Sequence, residues 1–264
     1  MTKILAAVDN SPAAAPVLSV AADVARIARS SVDAVHVDEG GSRTARGMAE
    51  AAGLPLRILD GHPSPVLVGE ASKPGVLAIV MGMRGTSVGH PAGHVSEAVI
   101  TSTDRPVVLV PPETPVPFSL RRVLVPMEKN PATAATLGAT IELVHSSDIE
   151  VAVLHVYDQS SVPAYEDQPQ YETEAWAREF LARYIPLPPE QVRLELRVGL
   201  PADQVLSVAR EQRIDMIALG WGRRLSPGRA GLVRPVLERS AIPVLLVGVL
   251  PGVRPLSPTS ATAP

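Results

Sequence analysis

The 264-residue sequence contains no cysteine. That excludes disulfides, a thiol nucleophile and thiolate-held metals. Aromatic side chains make up only 3% of it, too few for the stacking platforms of proteins that bind RNA or single strands. The core must therefore be aliphatic. The net charge of −3 gives no electrostatic reason to expect a nucleic-acid partner. No apolar run reaches the roughly 18 residues of a membrane-spanning helix, and no apolar leader precedes the first strand-like stretch at Ile4. The expectation is a cytoplasmic protein without a membrane partner. What is present is a hydrophobic fraction of 46%, enough for one large domain or two of roughly 100–150 residues each.

The chain reads as strands alternating with helices. Residues 3–9 predict a strand, and Pro12 to Arg29 carries Ala, Val, Leu and Ile at helical spacing behind Ser11 as N-cap. Val32–Val37 is the second strand, Arg43–Ala52 a short helix, Leu56–Leu59 the third strand and Pro65–Ser72 a helix. Ala78–Gly82 is the fourth strand, 94–102 a helix and Pro106–Val110 the fifth strand. Such alternation implies parallel βαβ units. The four-proline stretch from Pro111 to Leu120 reads as a linker.

After it the pattern restarts. Asp9 to Glu128 and His36 to His155 are both 119 residues apart, Gly61 to Gly199 and Gly82 to Gly220 both 138, and Pro106 to Pro243 is 137. Five ordered matches establish a duplication. The change of offset places about 19 extra residues in the second copy, within 157–185, where Glu172–Tyr184 looks helical. The predicted layout is domain 1 at 1–111, linker 112–120, domain 2 at 121–250 and a disordered Pro- and Ser/Thr-rich tail at 251–264.

Ligand chemistry is suggested at two strand ends. Ala78-Ile-Val-Met81 is a strand buried on both faces. It runs into a loop with Gly82, Gly85, Gly89 and Gly93, and then into an apolar helix. A strand, a glycine loop and a helix N-terminus in that order aim backbone N–H groups at an anion. The first strand ends in Asp9-Asn10-Ser11. In an open parallel sheet both turns lie at the carboxyl ends of strands, where ligands bind. Plainer readings compete: Asp-Asn-Ser is also ordinary turn chemistry, and His36 and His155 suit structural positions at strand ends. His90 and His94 are four apart, but Pro91 and Gly93 break the helical spacing a metal pair needs. No metal site is expected.

At this point the residues resemble the universal stress protein family in its tandem form. The resemblance rests on Ile4–Ser11, His36-Val37, Met81-Gly-Met-Arg-Gly85, Val95–Val99 and Pro106–Val110, and it covers roughly 2–111 and 121–249. It implies two tandem five-stranded parallel-sheet, Rossmann-like α/β sandwich domains, packed as a pseudo-dimer through their fifth strands. Those strands are apolar and need cover in any case. The resemblance also implies ATP, with magnesium, as ligand of domain 1. Asp9 would contact the adenine, and the backbone at Val37 would help fix the base. Gly82 and Gly85 would cradle the phosphates, and Asn10, Ser11, Arg84, Gly93, His94, Val95 and Ser96 would complete the cofactor-binding set. The family pattern has nine residues between the second glycine and a Gly-Ser/Thr pair. Here seven intervene between Gly85 and Gly93, and His94 takes the hydroxyl position.

The second copy departs further. Glu128 replaces Asp9, Arg223 replaces the second glycine, and Ala230-Gly231 stands where Gly-Ser is expected. Domain 2 is read as degenerate, with Arg223, Arg224, Arg229 and Arg234 able to attract an anion or an acidic partner. The rival reading is an interaction or regulatory module that binds no nucleotide but an unknown protein, or a further copy of itself. An enzyme is not expected beyond weak ATP hydrolysis, because no Walker lysine follows Gly85.

Overall fold

The computed structural model describes residues 2–38, 40–83, 93–128, 131–145, 147–157, 169–188, 192–222 and 231–248. The first half runs β1 (Lys3–Ala7), α1 (Ala14–Ile27), β2 (Ser31–Val37), α2 (Arg43–Ala51), β3 (Leu56–Leu59), α3 (Pro63–Ala71), β4 (Val76–Gly82), α4 (His94–Ser102) and β5 (Val107–Val110). The second half repeats the order with β6 (Arg122–Pro126), α5 (Pro131–His145), β7 (Glu150–Tyr157), α6 (Pro169–Tyr184) and β8 (Arg193–Val198). It continues with α7 (Pro201–Glu211), β9 (Met216–Trp221), α8 (Val233–Arg239) and β10 (Val244–Gly248).

All ten strands join one sheet in the order β3-β2-β1-β4-β5-β10-β9-β6-β7-β8. Within each half every neighbour is parallel. The halves meet where β5 and β10 run antiparallel, with Val108 opposite Leu245. The two halves thus form the expected pseudo-dimer. Each fifth strand offers unpaired backbone groups beside apolar side chains, and each covers the other. All four residues of β5 are buried.

Ile4 and Leu5 point to opposite faces of the sheet, and both are buried. Helices on the two faces account for this and for the unbroken apolar runs of the strands. One core layer holds Ile4, Val17 and Leu18 together with Val123, Leu137 and Ile141. The other holds Leu5, Ile79 and Leu109 together with Leu124, Val205 and Ile217. Both layers are continuous across the two halves. α6 holds the place that α2 has in the first half but is 16 residues long against 9, so part of the extra length of the second copy lies in this helix, whose Phe180 and Leu181 are buried in the core.

Residues 112–120 do not hang free between the halves. The Phe118 N–H donates to Ser19 Oγ at 2.7 Å, and the Leu120 N–H donates to Asp23 Oδ2 at 2.7 Å. Asp23 also accepts from Arg26. The first half is braced at its amino-terminal end by a chain of charges. Asp33 on β2 pairs with Lys3 of β1 and Arg57 of β3, and Arg57 continues to Glu70 of α3, which pairs with Lys73. Burial alone would raise the Asp33 carboxyl's pKa. Hydrogen bonds and charge from Arg57 and Lys3 outweigh that and hold it below the usual range. Glu70 behaves the same way toward Lys73 and Arg57.

Two outcomes follow. Replacing Asp23 by Ala leaves the buried Leu120 N–H without its acceptor, which costs about 1–3 kcal/mol. Urea denaturation should show this, and Asp23→Asn, which keeps an acceptor, should recover most of it. The lowered carboxyls stabilise the fold above their unfolded value of about 4, and that stability is lost as pH falls through the lowered folded values. Asp33→Asn should therefore flatten the decline of stability below about pH 4; an unchanged acid limb would refute the assignment.

Candidate functional site

The cavity that gathers the candidate residues lies across the carboxyl ends of β1, β2 and β4. Its volume is about 550 Å³. β1 has β2 on one side and β4 on the other. The chain moves outward through β2 and β3, then crosses back to β4, so the cavity sits at the topological switch point of the first half. Its apolar walls come from both faces of the sheet: Val8 and Val17 on one, Leu67 and Met81 on the other.

Asp9, Asn10, Ser11, Val37, Gly82, Gly93, His94, Val95 and Ser96 all line this one cavity. They come from four separate stretches of sequence. Arg84 and Gly85 lie outside the described residues, as do Gly89 and His90.

Asp9 is exposed, and its Oδ1 accepts from both the N–H and the hydroxyl of Ser11. Among the described residues no donor meets its second oxygen. Ser11 Oγ in turn accepts from the Ala13 N–H, so α1 begins at Ala14, three residues after Ser11, and Ser11 acts in the approach turn and not as the cap. Asn10 is engaged at both ends of its amide. Its Nδ2 donates to the Gly41 carbonyl at 2.6 Å, and its Oδ1 accepts from the Ala45 N–H at 3.0 Å. Ala45 lies in the first turn of α2, so Asn10 caps that helix from 35 residues away.

On the other side of the cavity, Ser96 is buried and its hydroxyl donates to the Gly82 carbonyl at 2.8 Å. The Gly93 N–H donates to the Met83 carbonyl. These two bonds close the glycine turn onto α4. His94 is the first residue of α4 and is exposed. The first turn of that helix carries N–H groups that its own ladder cannot satisfy, and it edges the cavity.

Asp38, Gly40 and Gly41 escape a reading by motif. Asp38 Oδ1 accepts from the N–H groups of Gly40 and Gly41 at 2.9 and 2.6 Å. Hydrogen bonds from Gly41 and Gly40 hold its carboxyl below the usual range. Both glycines take positive φ, 120° and 147°, a conformation that suits only glycine. The buried His36 ring reaches two carbonyl oxygens: Nδ1 lies 2.9 Å from Val8 O and Nε2 lies 3.0 Å from Gly41 O. The Asp-Glu-Gly-Gly run at 38–41 was the available signal for this turn.

The corresponding end of the second half is built differently. His155 Nδ1 meets the Met127 carbonyl at 2.8 Å, as His36 meets Val8. Tyr157, 119 residues after Asp38, packs edge-on against the His155 ring at 4.8 Å, and Phe180 lies 4.9 Å from it. Burial pushes the Tyr157 hydroxyl up to about 12. Aromatic rings thus stand where the first half has an anionic turn. Arg234 pairs with Glu238, and Arg223, Arg224 and Arg229 lie outside the described residues.

Residues 119–248 match the model of the universal stress protein family. None of the curated proteins compared matches the chain. Among solved structures, a universal stress protein from Archaeoglobus fulgidus is similar, with 18% identity and a TM-score of 0.65 over 93% of this chain and 98% of that one. A universal stress protein from Pseudomonas aeruginosa is similar at 15% identity and a TM-score of 0.65, over 94% and 93%. A universal stress protein in complex with cAMP covers 50% of this chain and 98% of its own, with 20% identity and a TM-score of 0.34.

The Asn10 bridge predicts a stability effect separable from ligand contact. Asn10→Ala removes the α2 cap and should cost about 1 kcal/mol. Amide exchange at Ala45 should accelerate without change at the amides of α4; exchange that stays protected at Ala45 would contradict the bridge.

Proposed function

We propose that this chain, whose residues 119–248 belong to the universal stress protein family, binds an adenine nucleotide in the cavity of its first half. In this reading residues 1–111 and 121–250 are the two domains, joined by 112–120, and the second is a degenerate structural partner. The chain acts as a nucleotide-responsive protein in a stress response. The observation that carries the reading is convergence. Asp9, Val37, Gly82 and the 93–96 stretch, far apart in sequence, line one cavity at the switch point, where open α/β sheets bind ligands.

The chemistry of the lining supports an adenine. The second oxygen of Asp9 is an acceptor suited to an exocyclic amino group, and the backbone at Val37 offers further hydrogen bonding to the base. Val17 and Leu67 provide apolar surface for the ring. The first turn of α4 and the glycine turn, with Arg84 and Gly85, take the phosphates, and magnesium accompanies ATP as their counter-charge.

A second reading has its own observation. The Ser96 hydroxyl and the Gly93 N–H are both spent inside the protein, which removes two donors a triphosphate would use. This favours a regulatory module with a protein partner and no nucleotide.

Calorimetry with ATP and magnesium separates the two. Binding is expected, and Asp9→Ala should weaken it at least tenfold, about 1.4 kcal/mol. Absence of binding by the intact chain would overturn the nucleotide reading; equal binding by the variant would move the base away from Asp9.

A further inference from the structure

The ring of His36 has a bonding problem that a neutral imidazole cannot solve. Both of its nitrogens face carbonyl oxygens, Val8 O at 2.9 Å and Gly41 O at 3.0 Å. A carbonyl oxygen only accepts, and a neutral imidazole carries a single N–H. One nitrogen would then point a lone pair at an oxygen in a buried setting, where an unmet polar contact is costly. Only the imidazolium donates to both.

The two carbonyls belong to opposite parts of the cavity rim. Val8 precedes Asp9 at the end of β1. Gly41 belongs to the β2–α2 turn and also accepts from Asn10. Val8, Asp9, Gly40 and Gly41 all line the cavity. We infer that His36 is a positioning residue of this cavity, acting in its imidazolium form to clamp the β2–α2 turn to the end of β1. It makes the site bind more tightly when the ring is protonated. The inference rests on the nucleotide reading for its ligand, but its geometric half stands without one.

The charged and titratable groups around the ring fit this role. Asp38, in the same turn, feels the charge of His36 and of Arg46 on α2. Asp9, just after β1, and His94 of α4 line the same cavity. α1 and α3 present non-titrating groups there, such as Val17 and Leu67. The second half keeps the first bond of the clamp, from His155 to Met127 O, but the Asp38 position holds Tyr157 against the ring.

Adenosine is the appropriate probe, because it has no phosphate to titrate in the working range. Its affinity for the intact chain should be about three- to tenfold higher near pH 6 than near pH 8, the net effect of one hydrogen bond gained in the rim. Calorimetry in buffers of different ionisation enthalpy should show proton uptake on binding. His36→Asn keeps a donor toward Val8 O and removes the titrating one. Its affinity should lose the pH dependence, whereas His94→Gln should keep it. A second measurement needs no ligand: nitrogen NMR of the His36 ring should show both nitrogens protonated near pH 6. The Gly41 amide and the Asn10 side-chain amide should then shift with the ring's titration. PH-independent adenosine affinity, or dependence that survives His36→Asn, would overturn the proposal. So would a ring that stays a single neutral tautomer while the rim resonances stand still. If adenosine fails to bind at either pH, the ring titration alone decides the clamp, and calorimetry with ATP decides the nucleotide reading separately.

Discussion

The union of the two halves into one sheet depends on the antiparallel pairing of β5 with β10. Each half taken alone ends in an apolar strand with a row of unmet backbone groups. Paired, the strands turn two five-stranded sheets into one and make both core layers continuous across the halves. The pairing uses the edge of each half that would otherwise seek a partner, and it leaves β3 and β8 as the outer strands. It also leaves the carboxyl ends of β1 and β4 open, because those strands lie inside their own half, away from the junction. The cavity end of the first half is thus free to be shaped by loops, while stability is secured elsewhere.

The two halves solve the same local problem with different chemistry. Both anchor a histidine of the second strand to the carbonyl of the residue just after the first strand. Around that shared anchor the first half places Asp9, Asp38 and two positive-φ glycines, and the second places Glu128, Tyr157 and Phe180. The family match falls on the second half, whose glycine loop departs further from the ligand pattern.

Strand and helix positions were legible because their causes are local. A short apolar run such as Ala78–Met81, bounded by a glycine turn, reads as a strand buried on both faces, and the ordered repeat carried that reading from the first half to the second. The gathering of Asp9 with the 93–96 stretch was legible too, since both follow strands of one parallel sheet. Less legible were the contacts made by side chains over distance. Asn10 read as part of the ligand set, and spacing gave no sign that its amide also spans to Gly41 and Ala45. Ser11 looked like a helix cap, but its hydroxyl serves the turn. Ser96 survives at a hydroxyl position, but its Oγ is turned inward to Gly82. Such roles depend on which partner the fold brings within 3 Å, and spacing along the chain does not reveal that. The four-proline stretch suggested a spacer, and only the fold shows Ser19 and Asp23 holding it to α1.

The central claim is that the first-half cavity at the β1–β4 switch point takes the adenine of a nucleotide. Its most direct test is a crystal structure grown with ATP and magnesium. The account predicts density for the base beside Asp9 and Val37, with phosphates against Gly82 and the first turn of α4. Density confined to the second half, or a first-half cavity that stays empty at saturating ATP, would contradict it.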